Sequence, residues 1–315
     1  MACYNEMKVF SGTAHEKFGQ KVCDHLGIEK GKLEVGRFKD GEININIDES
    51  VRGADVFLIQ PTCAPTNDNL LEMLILIDAC KRASAGRISV VMPYYGYARQ
   101  DKKTKGRDPI TAKLVANMIE VAGADRVIAM DLHVDQIQGY FDIPLDHLTG
   151  ITDLAEYFSD KMDLTNAVVV SPDIGGVNRA RRFAEVLDLP LSMIEKRRPT
   201  DNVSEVINII GEVEGKDCII VDDMIDTAGT ILNAAAALKE KEACKVYITA
   251  THGVFSEPAM ERIVESDIEG CVVTDTIPQD EKMKDTDRLQ VVSVTKKFAE
   301  VIRRVHKNES VSLLF

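Results

Sequence analysis

A chain of 315 residues exceeds one small domain and suits two of ordinary size, and a composition of 45% hydrophobic and 28% charged residues gives each half material for a core. The net charge of −13 argues against a nucleic-acid or membrane-surface binder. No apolar run approaches the roughly 20 residues that span a bilayer, and the start, 1–7, is polar, so a cytoplasmic protein without targeting segment or anchor is expected. The seven cysteines (3, 23, 63, 80, 218, 244, 271) are odd in number and scattered, without a Cys-x-x-Cys pair. They read as small buried thiols rather than disulfides or a zinc site.

Along the chain, short β-branched runs alternate with longer helical patterns. Val56-Phe57-Leu58-Ile59 comes first, then a helix over 69–85, with Asn67, Asp68 and Asn69 as capping candidates and Gly86 as its stop. Its apolar middle, Leu70 to Ile77, fits burial on several sides or a subunit interface. Ile88-Ser89-Val90-Val91 follows, then a helix over 111–121 and the run Val127-Ile128-Ala129-Met130. The second half repeats the cycle with Val168-Val169-Val170, Ile219-Ile220-Val221, a helix over 230–243, Val246-Tyr247-Ile248 and Val272-Val273. Such alternation predicts an α/β fold of two similar domains, 1–147 and 148–315, each a mainly parallel sheet flanked by helices. Strand runs in both halves end in polar residues, as at Asp131-Leu132-His133, Ser171-Pro172-Asp173-Ile174-Gly175-Gly176 and Asp222-Asp223. Ligands of open α/β sheets bind at such carboxyl ends.

The segment Ile219-Ile220-Val221-Asp222-Asp223-Met224-Ile225-Asp226-Thr227-Ala228-Gly229-Thr230 carries the strongest chemistry. A buried strand delivers two carboxylates, and a loop of small and hydroxyl residues opens an Ala-rich helix. Backbone N–H groups there, with the Thr227 and Thr230 hydroxyls, suit a phosphate monoester, and the acids suit sugar hydroxyls. An ordinary strand-to-helix turn with Asp226 or Thr227 as N-cap is the alternative. No Gly-x-x-x-x-Gly-Lys-Ser/Thr loop is present, which excludes a P-loop kinase. Two basic stretches, Arg99-Gln100-Asp101-Lys102-Lys103-Thr104-Lys105-Gly106-Arg107 and Lys196-Arg197-Arg198, stand out in this acidic chain and point to a small polyanion.

The 219–230 segment resembles the phosphosugar signature shared by type I phosphoribosyltransferases and the enzymes that make their substrate. Tyr97-Ala98-Arg99-Gln100-Asp101 separates the two: it is similar to ribose-phosphate pyrophosphokinases, and the likeness runs along essentially the whole chain, through Gly36 to Glu42, Gln136 to Gly139 and Lys196 to Pro199. The resemblance implies two phosphoribosyltransferase-like domains. It also implies transfer of the β,γ-pyrophosphoryl group of Mg-ATP to ribose 5-phosphate, with Mg2+ as cofactor. Under it, Arg99, Gln100 and Asp101 belong to the ATP site, as do Phe38, Asp40, Gly41 and Glu42, which reach adenine from a neighbouring subunit. His133 and Asp173 hold the metal, and Asp173, Ile174, Gly175 and Gly176 form a pyrophosphate loop. Asp222 and Asp223 face the ribose, and Asp226, Thr227, Ala228, Gly229 and Thr230 bind the 5-phosphate. Lys196 and Arg198 are catalytic cations on a lid over 196–205, Arg198 also facing ribose 5-phosphate.

The same resemblance implies a homo-oligomer, a hexamer, with phosphate and ADP as effectors near Ser50, Arg52, Arg107, Gln138, Asp146, Ser310 and Ser312. Two departures fall near that region. His147 stands where relatives usually have Asn, and Thr149-Gly150-Ile151-Thr152 lacks their Ser-Pro or Glu-Pro element, which implies regulation sensitive to pH through His147. The competing functions are a phosphoribosyltransferase and a non-catalytic regulatory relative; the intact 222–230 and 196–198 stretches argue against the latter.

Overall fold

The computed structural model describes residues 6–197, 206–284 and 286–314, with the backbone alone at 196, 197, 206, 207 and 313. The chain divides into two compact units. The first runs up to Thr149 and adds Thr276–Pro278 and the C-terminal stretch from Val294; the second comprises Gly150–Asp275 and Gln279–Ser293.

In the first unit, β1 (Met7–Ser11), α1 (Glu16–Leu26), the hairpin strands β2 (Leu33–Arg37) and β3 (Ile43–Ile47), and β4 (Asp55–Ile59) come in order. Next are α2 (Thr66–Arg82), β5 (Arg87–Met92), α3 (Thr111–Ala122), β6 (Arg126–Met130) and β7 (Leu145–Leu148). The main sheet, β1-β4-β5-β6-β7, is parallel throughout. Parallel strands covered on both faces must be apolar on both, and β4 is buried along its whole length. On one face, Val56, Leu58, Val90 and Val127 pack with Met73, Leu76 and Ile77 of α2 and Val115 and Ile119 of α3. On the other, Phe57, Ile59 and Ile128 pack with Phe18 and Val22 of α1 and Phe298, Val301 and Ile302 of the C-terminal helix (Thr295–Lys307). That helix corrects the division at 147/148: its buried face completes the first unit, not the second. Asp55 fixes its end, receiving Arg87 Nη2 at 2.5 Å and lying 2.9 Å from His306 Nδ1.

Helix α2 begins a turn earlier than its capping candidates imply. Pro65 stands at the N-cap, and Asn69, already inside the helix, donates from Nδ2 to the Cys63 carbonyl at 2.8 Å. Ser84, at φ 64, ends the run before Gly86. Leu71 is 50% exposed, so α2 is not buried all round.

In the second unit follow α4 (Ile151–Lys161), β8 (Ala167–Ser171), α5 (Val177–Leu187), β9 (Leu191–Arg197), β10 (Val206–Ile210) and β11 (Asp217–Ile225). Then come α6 (Gly229–Glu240), β12 (Lys245–Gly253), α7 (Ala259–Glu265), β13 (Gly270–Thr274) and β14 (Leu289–Val292). The sheet order is β10-β9-β8-β11-β12-β13-β14, parallel except for β10 against β9. Phe158 and Phe183, from α4 and α5, lie edge to face at 5.9 Å on one side of this sheet.

Among the described residues no helix is long and apolar enough to cross a membrane. Cys23, Cys63, Cys80, Cys218 and Cys271 are free and buried. Cys244 is exposed, which corrects the uniform burial expected of the thiols, while Cys3 lies outside the described residues.

Candidate functional site

The acidic pair of the second unit is not at the end of a strand but within one. Strand β11 stays paired with β12 through Met224 opposite His252 and Ile225 opposite Gly253, so Asp222 and Asp223 sit in the ladder. Asp223 is buried, and a guanidinium compensates the charge: Arg179 Nη1, from α5, is 3.2 Å from Asp222 Oδ1 and 3.3 Å from Asp223 Oδ1. Burial first, and then the neighbouring Asp223, raise the Asp222 pKa above its ordinary value, with Arg179 opposing.

Past Ile225 the chain turns through Asp226 and Thr227 into α6. Ala228 takes the N-cap position in the left-handed region (φ 60, ψ −6), and no side chain caps the helix. The alternative of Asp226 or Thr227 as N-cap is not what forms: Ala228 holds that position, and the first N–H groups of the helix have no intrahelical acceptor. Thr227 and Thr230 are exposed beside it, and Gly229 is partly buried.

A second turn, between β8 and α5, ties itself together. Asp173 Oδ1 accepts the Gly176 N–H at 2.8 Å, and Ser171 Oγ donates to the Asp173 carbonyl at 2.7 Å. A Cβ at Gly176 would lie 3.1 Å from Ser171 Oγ, so a larger residue would crowd this turn. Asp173, Ile174 and Gly175 are exposed. The backbone of Lys196 and Arg197 closes β9; their side chains and all of residues 198–205, Arg198 and the rest of the expected lid among them, lie outside the described residues.

In the first unit, Phe38, Asp40, Gly41 and Glu42 are brought together at the tip of the β2–β3 hairpin. Phe38 N–H donates to the Glu42 carbonyl at 2.8 Å, Gly41 turns at φ 97, and the Phe38 ring is 55% exposed. Arg99 and Gln100 lie exposed on the loop after β5, with Asp101 partly covered. That loop is well held: Gly96 N–H donates to Thr62 Oγ1 at 2.7 Å, the Tyr97 hydroxyl to Asn67 Oδ1, the Thr111 hydroxyl to Gln100 Oε1, and the Tyr140 hydroxyl to the Asp101 carbonyl.

His133 follows β6 on a turn in which Asp131 has φ 36. The Leu132 N–H donates to His147 Nε2 at 2.9 Å, which requires an unprotonated Nε2; Nδ1 lies 3.8 Å from Asp135 Oδ1. His147 thus supports the turn that carries His133.

Of the expected effector residues, three converge. Asp146 receives Arg126 Nη1 at 2.6 Å, and Arg126 lines a cavity of about 420 Å³ with Arg87, Ser310 and Ser312. Ser50, Arg52, Arg107 and Gln138 are exposed and do not line it; Arg52 bridges to Ala85. Arg87, Arg126 and Arg179 carried no sequence signal, being single basic residues in ordinary strands and helices.

Two mainly parallel sheets, each with polar loops at its carboxyl edge, and a carboxylate pair leading into an uncapped helix define an α/β protein suited to sugar-phosphate chemistry. Comparison with known proteins narrows the class. Residues 7–123 match the model of the N-terminal domain of ribose phosphate pyrophosphokinase, and residues 200–315 match a phosphoribosyl synthetase-associated domain. A ribose-phosphate pyrophosphokinase of Caldanaerobacter subterraneus is 58% identical over 316 residues, covering 100% of both chains. One from Staphylococcus saprophyticus is 58% identical over 98% of this chain and 97% of its own. The crystal structure of phosphoribosylpyrophosphate synthetase from Mycobacterium smegmatis superposes with a TM-score of 0.92 at 44% identity, covering 96% of this chain and 100% of that one. The chain belongs to the ribose-phosphate pyrophosphokinase family, and it is an enzyme.

Proposed function

We propose that the enzyme transfers the β,γ-pyrophosphoryl group of Mg-ATP to the anomeric hydroxyl of D-ribose 5-phosphate, giving 5-phospho-α-D-ribose 1-diphosphate and AMP. The observation that carries this reading is the Asp222–Asp223 pair placed directly ahead of the uncapped start of α6. The free N–H groups of that helix and the Thr227 and Thr230 hydroxyls take the 5-phosphate, where the helix dipole also favours negative charge. The carboxylates take the ribose hydroxyls.

The anomeric oxygen attacks the β-phosphorus in line, and the bond from that phosphorus to the α,β-bridging oxygen breaks as AMP leaves. The raised pKa makes Asp222, in its ionised form, a stronger base than an ordinary carboxylate and so suits it to accept the hydroxyl proton. Arg99 and Gln100 contact ATP, with Asp101 beside them in the nucleotide site, and the exposed Phe38 ring, with Asp40, Gly41 and Glu42, receives adenine bound to a neighbouring subunit. Lys196 and Arg198 neutralise charge growing on the transferred group. Losing either costs on the order of 3 kcal/mol of barrier, roughly a hundredfold in rate.

Among the described residues no group of three or more His, Cys, Asp or Glu could hold a metal ion. An imidazole and a carboxylate, His133 and Asp173, instead suit Mg2+ carried by the nucleotide, which keeps much of its shell as water and phosphate oxygens. When bound, Mg2+ neutralises the polyphosphate and so assists departure of AMP.

We further propose a homohexamer regulated by phosphate and ADP, with the Arg87 and Arg126 cavity supporting an anion effector site beside Asp146, Ser310 and Ser312. The free cysteines fit a reducing cytoplasm. Following AMP release tests the reading. AMP should appear with Mg-ATP only when ribose 5-phosphate is present, and the Asp222→Asn/Asp223→Asn double variant should abolish it. ATP hydrolysis independent of the sugar would count against it.

A further inference from the structure

We infer that Arg262, on α7, is a positioning residue for the 226–230 loop, holding the Thr227 carbonyl turned away from the side where the loop receives a sugar phosphate. The inference rests on the ribose 5-phosphate reading above. Arg262 Nη1 donates to the Thr227 carbonyl oxygen at 3.0 Å. The same nitrogen would stand 3.3 Å from a Cβ built on Gly229, so the guanidinium lies against the loop itself.

The next residue shows why that contact matters. Ala228 is buried and left-handed at φ 60, a conformation an L side chain adopts only when its surroundings hold it there. Flipping the peptide between Thr227 and Ala228 would return Ala228 to an ordinary φ and swing the carbonyl round. An oxygen facing the phosphate would then replace an N–H group and repel the anion. The first turn of α6 has no side-chain cap to resist the flip, and Thr227 is exposed. Arg262 supplies the resistance from outside the loop by occupying the carbonyl in its present direction. Its positive charge also adds to the field at the start of α6. It acts through the loop and need not touch the substrate.

Steady-state kinetics of Arg262→Ala and Arg262→Lys, with each substrate varied in turn, test this alongside calorimetric binding of ribose 5-phosphate alone. The expected result is a KM for ribose 5-phosphate raised on the order of tenfold in Arg262→Ala, with the KM for ATP within about twofold. Calorimetry should show the matching loss, and Arg262→Lys, which keeps a charged donor, should recover most of it. An unchanged KM for ribose 5-phosphate in Arg262→Ala overturns the inference, as does an equal rise of both KM values with a fall in kcat. A wild-type protein that neither binds nor turns over ribose 5-phosphate overturns the substrate reading and this inference with it. A competent wild type with an unaffected Arg262→Ala overturns the inference alone.

Discussion

Arg179 Nη1 stands 3.2 Å from Asp222 Oδ1, so the strand that leads into the 226–230 loop is tied to the helix following the Asp173 turn. The same nitrogen reaches Asp223 at 3.3 Å. One guanidinium therefore meets both acids, of which the Asp223 side chain is 4% exposed and that of Asp222 is 23% exposed.

Arg179→Ala leaves both acids without that partner. Removing one member of a buried ion pair costs on the order of 3 kcal/mol, because the remaining charge stays desolvated. Urea unfolding should show a loss of about that size, and the KM for ribose 5-phosphate should rise. A stability change below about 0.5 kcal/mol would mean that the pair is solvated in practice.

The acidic pair also makes stability depend on pH. Burial, and then Asp223, hold the Asp222 pKa above the ordinary carboxylate value in the folded chain. Above about pH 4 an unfolded Asp has released its proton while the folded one retains it. Folded stability therefore falls as pH rises from about 4 towards the folded value. Asn does not titrate, so Asp222→Asn should gain on wild type between about pH 5 and about pH 8 in urea unfolding. A difference that stays constant over this range would contradict the assignment.

Glu300 on the C-terminal helix works in the opposite sense. Hydrogen bonds from Arg303 first, and then Arg304, lower its pKa from 4.5 to about 2. This contribution is complete above the unfolded value and is lost as pH falls through the folded one. The advantage of wild type over Glu300→Gln, read as a difference in Tm, should be present at about pH 6 and shrink towards about pH 2. Because the Glu300 side chain is 31% exposed, the effect should be small and diminish in high salt.

Gly96 fixes the Arg99 loop from beneath. A Cβ there would lie 2.5 Å from the backbone carbonyl oxygen of Thr62, which cannot swing aside as a side chain would. Gly96→Ala should therefore displace the loop and break the Gly96 N–H bond to Thr62 Oγ1. The expected outcome is a several-fold higher KM for ATP, with the affinity for ribose 5-phosphate retained; an unchanged KM for ATP would separate this loop from the nucleotide.

The alternation of strands and helices was legible because parallel strands buried on both faces need runs such as Val56 to Ile59 or Val168 to Val170. Boundaries set by pairing or local geometry were less so. Asp222 and Asp223 look terminal in sequence, yet β12 continues alongside them to Gly253 and keeps them in the ladder. The turn of three polar residues at Asn67, Asp68 and Asn69 looks like a cap, yet it forms the first turn of α2 after Pro65. The C-terminal helix is visibly amphipathic, but no local feature says which sheet receives its apolar face. His147, marked only as a departure near an effector site, proves to accept the Leu132 N–H. Arg179 reaches the acidic pair and Arg262 the loop, each from another element, and a lone arginine on a helix carries no sign of where its side chain arrives.

The most direct test follows the phosphorus atoms by 31P NMR during one incubation of the enzyme with Mg-ATP and ribose 5-phosphate. The account predicts AMP and a sugar diphosphate in equal amounts, with the β- and γ-phosphorus of ATP still joined in the product. Formation of ADP with a singly phosphorylated anomeric position, or of free pyrophosphate without a sugar diphosphate, would contradict it.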